Sequence, residues 1–330
     1  MRSANISSLE LRHYQPDCEV NLLGTLDKKL GRVLVPLITP FDEREDINFT
    51  VLGKLVDFVL DHRYADSLIV SGTTGEFYAL TTEERIRLFR TVKEMVAGRV
   101  PLIGGTGAAS TREAIALTQE ATRLGYDCVM VVNPYYQKVT QEGLYRHFKA
   151  VAEATSLPVM LYNIPLFTGV NIEVDTFARL ARIPNIKAIK EEAGINPTQM
   201  TDFALAAPAD FSLYCGDDTM VLQTFPQGAV GVVSGGSHIV GDLMGNMIAE
   251  QIKGNVTRAS ELYFKMMPFF RALNQSGRVN PIPLLKDAIR LHTGLDVGKP
   301  RMPSLGATPE EEAKLRAVLQ ALGKLPQPVG

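Results

Sequence analysis

The sequence predicts an α/β fold, a (β/α)8 TIM barrel with a C-terminal helical appendix, on three observations. Eight short β-type runs alternate with segments of helical periodicity, and each gap between runs is about one helix long. The runs are near-continuously apolar, as in a parallel sheet covered on both faces. At 330 residues the chain is long enough for a single large core. A doubly wound sheet is the competing arrangement.

The runs span 33–38, 67–70, 101–104, 128–132, 158–162, 186–190, 211–215 and 229–234. Ahead of them, 1–31 reads as an N-terminal extension, packed on the outside or mobile. Its Arg2, Glu10, Arg12, Asp17 and Glu19 leave no apolar stretch for a secretory signal. After the second run, 82–96 sets Ile86, Phe89, Val92 and Val96 at helical spacing, with Glu83, Glu84, Arg87 and Glu94 on the other face. Thr82 before Glu83 and Glu84, Ser110 before Glu113, and Asn196 before Pro197 read as helix starts. The barrel is assigned to 32–240. The region 241–330 holds three further helices, over 256–273, 283–291 and 309–322, packed on the barrel to close one side or to meet another subunit. A frayed tail is expected over 325–330.

Composition narrows the function. Lys and Arg number 34 against 36 Asp and Glu, for a net charge of −2, and no basic run interleaves with aromatics, so nucleic acid is not the expected partner. The longest apolar stretches, such as 129–132 and 229–233, fall far short of the ~20 residues a membrane span needs. Cys18, Cys128 and Cys215 are odd in number, and two lie in apolar runs, which suits a reducing compartment; a cytoplasmic location is expected.

In such a barrel the chemistry sits at the C-terminal ends of the strands. If side chains alternate regularly along 186–190, Ile186, Ala188 and Lys190 share one face, and Lys190 points into the barrel mouth. Burial there favours the neutral amine that attacks a carbonyl to form a Schiff base. Taken alone, a lysine at a strand end can equally snorkel to water. Tyr162 ends the neighbouring strand, and Tyr136 and Thr73 at other exits can extend a proton relay beside it. The turn Gly72-Thr73-Thr74-Gly75 offers consecutive N–H groups and two hydroxyls to a small anion, a carboxylate or a phosphate.

That turn lacks the lysine of a nucleotide-binding loop, and Gly104-Gly105-Thr106-Gly107 does not continue into a dinucleotide fingerprint, so no nucleotide cofactor is expected. His13, His62, His147, His238 and His292 have no close-spaced pair, and no metal is expected. The pairs Glu191-Glu192 and Asp217-Asp218 could hold magnesium, but their simpler role is capping helices or orienting hydroxyls.

Taken together, the exits resemble the dihydrodipicolinate synthase and N-acetylneuraminate lyase family of pyruvate-dependent class I aldolases. The resemblance runs from about Arg32 to Leu305. It is carried by Thr39-Pro40-Phe41, Gly72-Thr73-Thr74-Gly75-Glu76, Gly104-Gly105-Thr106-Gly107, Pro134-Tyr135-Tyr136, Tyr162-Asn163-Ile164-Pro165, Ile189-Lys190-Glu191 and Gly216-Asp217-Asp218. It implies a homotetramer built as a dimer of dimers, with no cofactor, and with pyruvate and an aldehyde as partners. By the same resemblance Lys190 forms the imine, Tyr162 is the acid/base residue, and Thr73 and Tyr136 form its relay, Tyr136 reaching across the dimer. Thr73 and Thr74 hold the pyruvate carboxylate, and Phe167, Gly216, Val232 and Ser234 complete the substrate-binding set.

One departure matters for the aldehyde. The segment after Tyr162-Asn163 reads Pro165-Leu166-Phe167-Thr168-Gly169, so Phe167 stands where family synthases carry the arginine that holds the carboxylate of aspartate semialdehyde. A phenyl ring supplies no charge-assisted bond, each worth about 1.5–3 kcal/mol. Unless Lys138 substitutes, a neutral or hydroxylated aldehyde is expected, and a 2-oxo-3-deoxy sugar acid aldolase is the leading reading. The alternative is a synthase of lysine biosynthesis with a non-standard carboxylate anchor. A metal-enolate aldolase or a catalytically silent barrel are readings of other classes. The positions matching the lysine-feedback pocket carry Phe77, Tyr78, Thr82, Arg85 and Ala109, with only Glu113 and Tyr135 retained, so insensitivity to lysine is expected.

Overall fold

The computed structural model describes residues 26–325 except 193 and 195. Residues 1–25, with Cys18 and most of the expected extension, and the tail from 326 on lie outside the described residues. Eight parallel strands close in sequence order into one barrel: β1 Val33–Pro36, β2 Ser67–Val70, β3 Leu102–Gly105, β4 Cys128–Val132, β5 Val159–Asn163, β6 Ile186–Glu191, β7 Ser212–Cys215 and β8 Ala229–Val233. Closure through β8, with Val33 opposite Val232, excludes the doubly wound sheet. β3 and β5 start one residue late because Pro101 and Pro158 have no N–H to give.

Alternation along the strands makes two cores. Leu34, Ile69, Ile103, Met130, Met160, Ala188 and Tyr214 fill the barrel, while Val35, Leu68, Val129, Leu161, Ile189 and Leu213 face the surrounding helices. Two bulges break the alternation and correct the sequence reading. Along β6, Val159 pairs with Ile186 but Met160 pairs with Ala188, so Lys187 is skipped and Ile186 falls in the outer layer, away from Lys190. Along β8, Leu213 pairs with Ala229 and Tyr214 with Gly231, skipping Val230. Parity shifts by one beyond it, so that Val233 turns inward and Val232, expected in the site, packs in the outer layer.

Helix starts need similar adjustment. Thr81, not Thr82, caps the helix Thr82–Val96 in a capping box with Glu84, while the Thr82 hydroxyl donates to Glu113. Ser110 caps its helix as expected. The helix after β6 begins at Gln199, because the Asn196 side chain accepts from the Thr198 hydroxyl and supplies no side-chain cap. Beyond β8 come Ser237–Ile252, Val256–Leu273, Ile282–Thr293 and Pro309–Ala321. The first is the barrel's own eighth helix. It kinks at Val240, where the barrel was expected to end, and Gly241 follows because a Cβ there would lie 2.4 Å from the Tyr64 carbonyl oxygen. At the opposite end Leu26 and Leu30 enter the inner core, and Asp27 accepts from the Ser212 hydroxyl, so residues 26–30 plug the N-terminal mouth. Among the described residues no helix is long and apolar enough to cross a membrane.

Candidate active site

Lys190 and Tyr162 are register partners on β6 and β5, and the lysine Nζ lies 4.0 Å from the centre of the tyrosine ring. The lysine is 6% exposed. That small exposure belongs to a cavity of about 210 Å³ at the C-terminal ends of the strands, so the side chain does not snorkel to the surface. Thr73, Thr74, Tyr162, Phe167, Lys190 and Gly216 all line this cavity. Gly216 leaves room for the lysine: a Cβ there would come within 3.0 Å of Lys190 Cε and of the Glu191 carbonyl oxygen.

Thr73–Gly75 forms a single 3-10 turn, whose first N–H groups have no partner inside the turn, and Thr73 and Thr74 both line the cavity. The turn ends at Glu76, held in the left-handed region at φ 57°. A buried ion pair fixes it there, with Lys286 Nζ 2.8 Å from Glu76 Oε1.

Three expected residues do not line the cavity. Val232 is on the outer face for the reason given above. Ser234 is buried with its Oγ accepting from the N–H and the hydroxyl of Ser237, so it starts the following helix instead of facing substrate. Tyr136 is 96% exposed, at φ 76°, and reaches no member of this site within one chain. Lys138, the substitute cation, lies over Gly169 and is also absent from the cavity wall.

The sequence reading missed two parts of the site. Phe270, Leu273, Ile282 and Leu285, from the helices after the barrel, form one apolar wall with Leu166 and Phe167 near the mouth. Periodicity marks them as buried but cannot say against what. Glu192, Asp217 and Asp218 line the same cavity. Asp217 Oδ1 accepts from the N–H and hydroxyl of Thr219, the hydroxyl-orienting role expected of these acids, and Asp218 Oδ2 accepts from the Gly236 N–H; neither caps the next helix, Val221–Thr224, which has no side-chain cap. Burial and the adjoining Asp217 carboxylate push Glu192 up to about 8; burial pushes Asp218 up to about 6. Glu191, behind the lysine, is buried between the amides of Asn163 and Gln199 and is pushed up to about 8 by burial. Among the described residues no group of three or more His, Cys, Asp or Glu is placed to hold a metal ion.

A lysine beside a tyrosine, under an N–H-rich turn, is equipped to condense with a 2-oxo acid. The sequence pattern of the dihydrodipicolinate synthetase family matches residues 29–322. The chain belongs to that family. Family members are lyases of the class I aldolase type, working through a lysine Schiff base, and this enzyme is one of them. It is 46% identical to the 4-hydroxy-tetrahydrodipicolinate synthase of Desulforudis audaxviator, over 88% of this chain and 97% of the relative. It is also 46% identical to the synthase of Bacillus velezensis, over 89% of this chain and 99% of the relative. The crystal structure of dihydrodipicolinate synthase from Bacillus anthracis superposes with a TM-score of 0.83 at 42% identity, covering 90% of this chain and 99% of that one. The enzyme from Cyanidioschyzon merolae, solved with lysine bound, gives a TM-score of 0.85 at 40% identity, covering 90% and 99%. These relatives favour the synthase alternative over the sugar acid aldolase that leads the sequence reading.

Proposed function

We propose that Lys190 forms an imine with pyruvate and that the resulting enamine adds to aspartate semialdehyde, the 4-hydroxy-tetrahydrodipicolinate synthase reaction named for the relatives. The observation that carries this reading is Lys190 packed on the Tyr162 ring inside a cavity that Thr73 and Thr74 also line. The amine attacks C2 of pyruvate, and water leaves as the carbinolamine collapses. Loss of a C3 proton gives the enamine. Tyr162, whose ring packs on the nitrogen, is the acid/base residue, the Thr73 hydroxyl its relay, and the N–H groups of Thr73 and Thr74 hold the carboxylate. Tyr136 completes the relay from a second copy of the chain. Its near-complete exposure supports this, and with it a homotetramer built from dimers. Cys128 and Cys215, both free and buried, support a cytoplasmic location.

Incubation with pyruvate and borohydride is expected to leave a reduced pyruvyl adduct on Lys190, read by peptide mass mapping, and Lys190→Ala to abolish it. Absence of the adduct in the native enzyme overturns the imine.

A second reading, cleavage of a 2-oxo-3-deoxy sugar acid, is favoured by one observation: Phe167 lines the cavity, and Lys190 is the sole cation among its lining residues. Turnover of sugar-derived aldehydes with pyruvate, against turnover of aspartate semialdehyde, separates the two.

A further inference from the structure

The cavity lining carries two sets of side chains that the catalytic lysine and the carboxylate-binding turn do not explain. One is apolar, with Leu166 and Phe167 half open to solvent and with Phe270 and Leu285. The other is acidic. Glu192 and Asp217 both line the cavity beside Lys190, with the Asp217 carboxylate adjoining Glu192.

The backbone is shaped for that contact. Gly194 carries its turn so close over the pair that a Cβ there would lie 2.6 Å from Asp217 Oδ2 and 3.4 Å from Glu192 Oε1. Asp217 Oδ1 is already committed to the N–H and hydroxyl of Thr219 at 2.7 and 2.8 Å, which leaves Oδ2 for Glu192. Asp218 also lines the cavity, with its Oδ1 buried without a hydrogen-bond partner while its Oδ2 holds Gly236.

The geometry points to Glu192, seated on Asp217, as a specificity-determining residue that receives a hydrogen-bond donor on the acceptor aldehyde. The inference rests on the pyruvate-imine reading of the site and concerns only the second substrate. A carboxylate on the acceptor would meet Glu192, Asp217 and Phe167, and among the lining residues no cation other than the imine-forming Lys190. A hydroxyl or an ammonium meets acceptor oxygens already fixed in place. Two sources share that donor chemistry: the amino group of aspartate semialdehyde, and the hydroxyls of a sugar-derived aldehyde. Under the first, the enzyme holds its semialdehyde by the ammonium end, which reconciles Phe167 with the identity of the relatives.

The test measures kcat/KM of the full-length enzyme at saturating pyruvate for aspartate semialdehyde, succinate semialdehyde, glyceraldehyde and propanal. Succinate semialdehyde keeps the carboxylate but lacks the amine, and propanal lacks any donor. The expected result is at least a tenfold preference, roughly one charge-assisted hydrogen bond, for one donor-bearing aldehyde over its donor-free partner. Glu192→Ala is expected to erase that preference. Glu192→Gln keeps an acceptor oxygen but no charge, so it preserves preference for glyceraldehyde and loses preference for aspartate semialdehyde, which tells the sources apart. Each readout is a ratio within one preparation, so a loss of folded protein cancels.

Failure of both donor-bearing aldehydes to outpace their donor-free partners overturns the inference, as does a preference that survives Glu192→Ala. Borohydride trapping of the native enzyme with pyruvate alone, with no aldehyde present, reports separately on the imine.

Discussion

Lys286 Nζ lies 2.8 Å from Glu76 Oε1, and neither side chain reaches water. The ammonium also donates to the carbonyl oxygens of Thr39 and Lys299, and Glu76 Oε2 accepts from the Arg301 N–H. A residue from the C-terminal helices thus fixes the turn that presents Thr73 and Thr74. Lys286→Met strands a buried carboxylate, and its expected cost is about 3–5 kcal/mol in urea unfolding. Combining it with Glu76→Gln is expected to recover much of that loss. In whatever folded fraction remains, KM for pyruvate is expected to rise.

Phe167→Arg tests the acceptor end directly. The substitution returns a guanidinium to a half-exposed position on the cavity wall, and kcat/KM for aspartate semialdehyde is expected to rise about tenfold or more, the worth of a charge-assisted bond. Unchanged use of that aldehyde by native and variant enzymes counts against the account of Phe167.

Tyr136→Phe is expected to lower kcat without changing the urea midpoint. Its side chain is almost fully exposed and packs on nothing that a lost hydroxyl would disturb in one chain. An unchanged kcat removes Tyr136 from the relay.

Stability should depend on pH in a particular window. Glu191 and Glu192 are both pushed up to about 8, so across pH 6.5–8 the folded enzyme holds protons that the unfolded chain has released. Their contribution is complete below their unfolded values and is lost as pH rises through about 8. Buried His147 and His238, pushed down to about 4, act with the opposite sign, but only between about pH 4 and 6.5. The melting temperature is therefore expected to fall from pH 6.5 to 8.5, with Glu191→Gln flattening the slope. A rising melting temperature across that window contradicts this assignment.

Lysine at millimolar concentration is expected to leave the rate unchanged. The Arg85 guanidinium is buried over the Phe77 ring at 5.0 Å and donates to Ser71 Oγ and to the carbonyl oxygens of Gly105 and Gly107, so a cation of the chain itself fills the crevice beside Tyr135 and Glu113. Halving of the rate by lysine in that range overturns this expectation.

The barrel was legible because alternation and helical period are local properties, and seven short motifs at strand exits identified the family. Val232 was misplaced because a bulge is one unpaired residue, Val230, whose effect on parity appears only when β7 is laid beside β8. Ser234 reads as a polar residue at a strand exit, and only the structure reveals that the next helix consumes its oxygen. The apolar wall from Phe270 to Leu285 was unreadable for a different reason: those residues lie far along the chain from the lysine they enclose, and burial periodicity carries no information about the partner.

The helix Ile282–Thr293 sends Ile282 and Leu285 into the cavity and, one residue later, Lys286 into the loop beneath it. Attempts to broaden the range of aldehydes by resizing 282 or 285 will therefore carry over into affinity for the keto acid, since a shift of that helix moves both. Phe270 and Leu273, on the neighbouring helix, have no such tie, and they are the positions at which the enzyme's second substrate can be changed without altering its first.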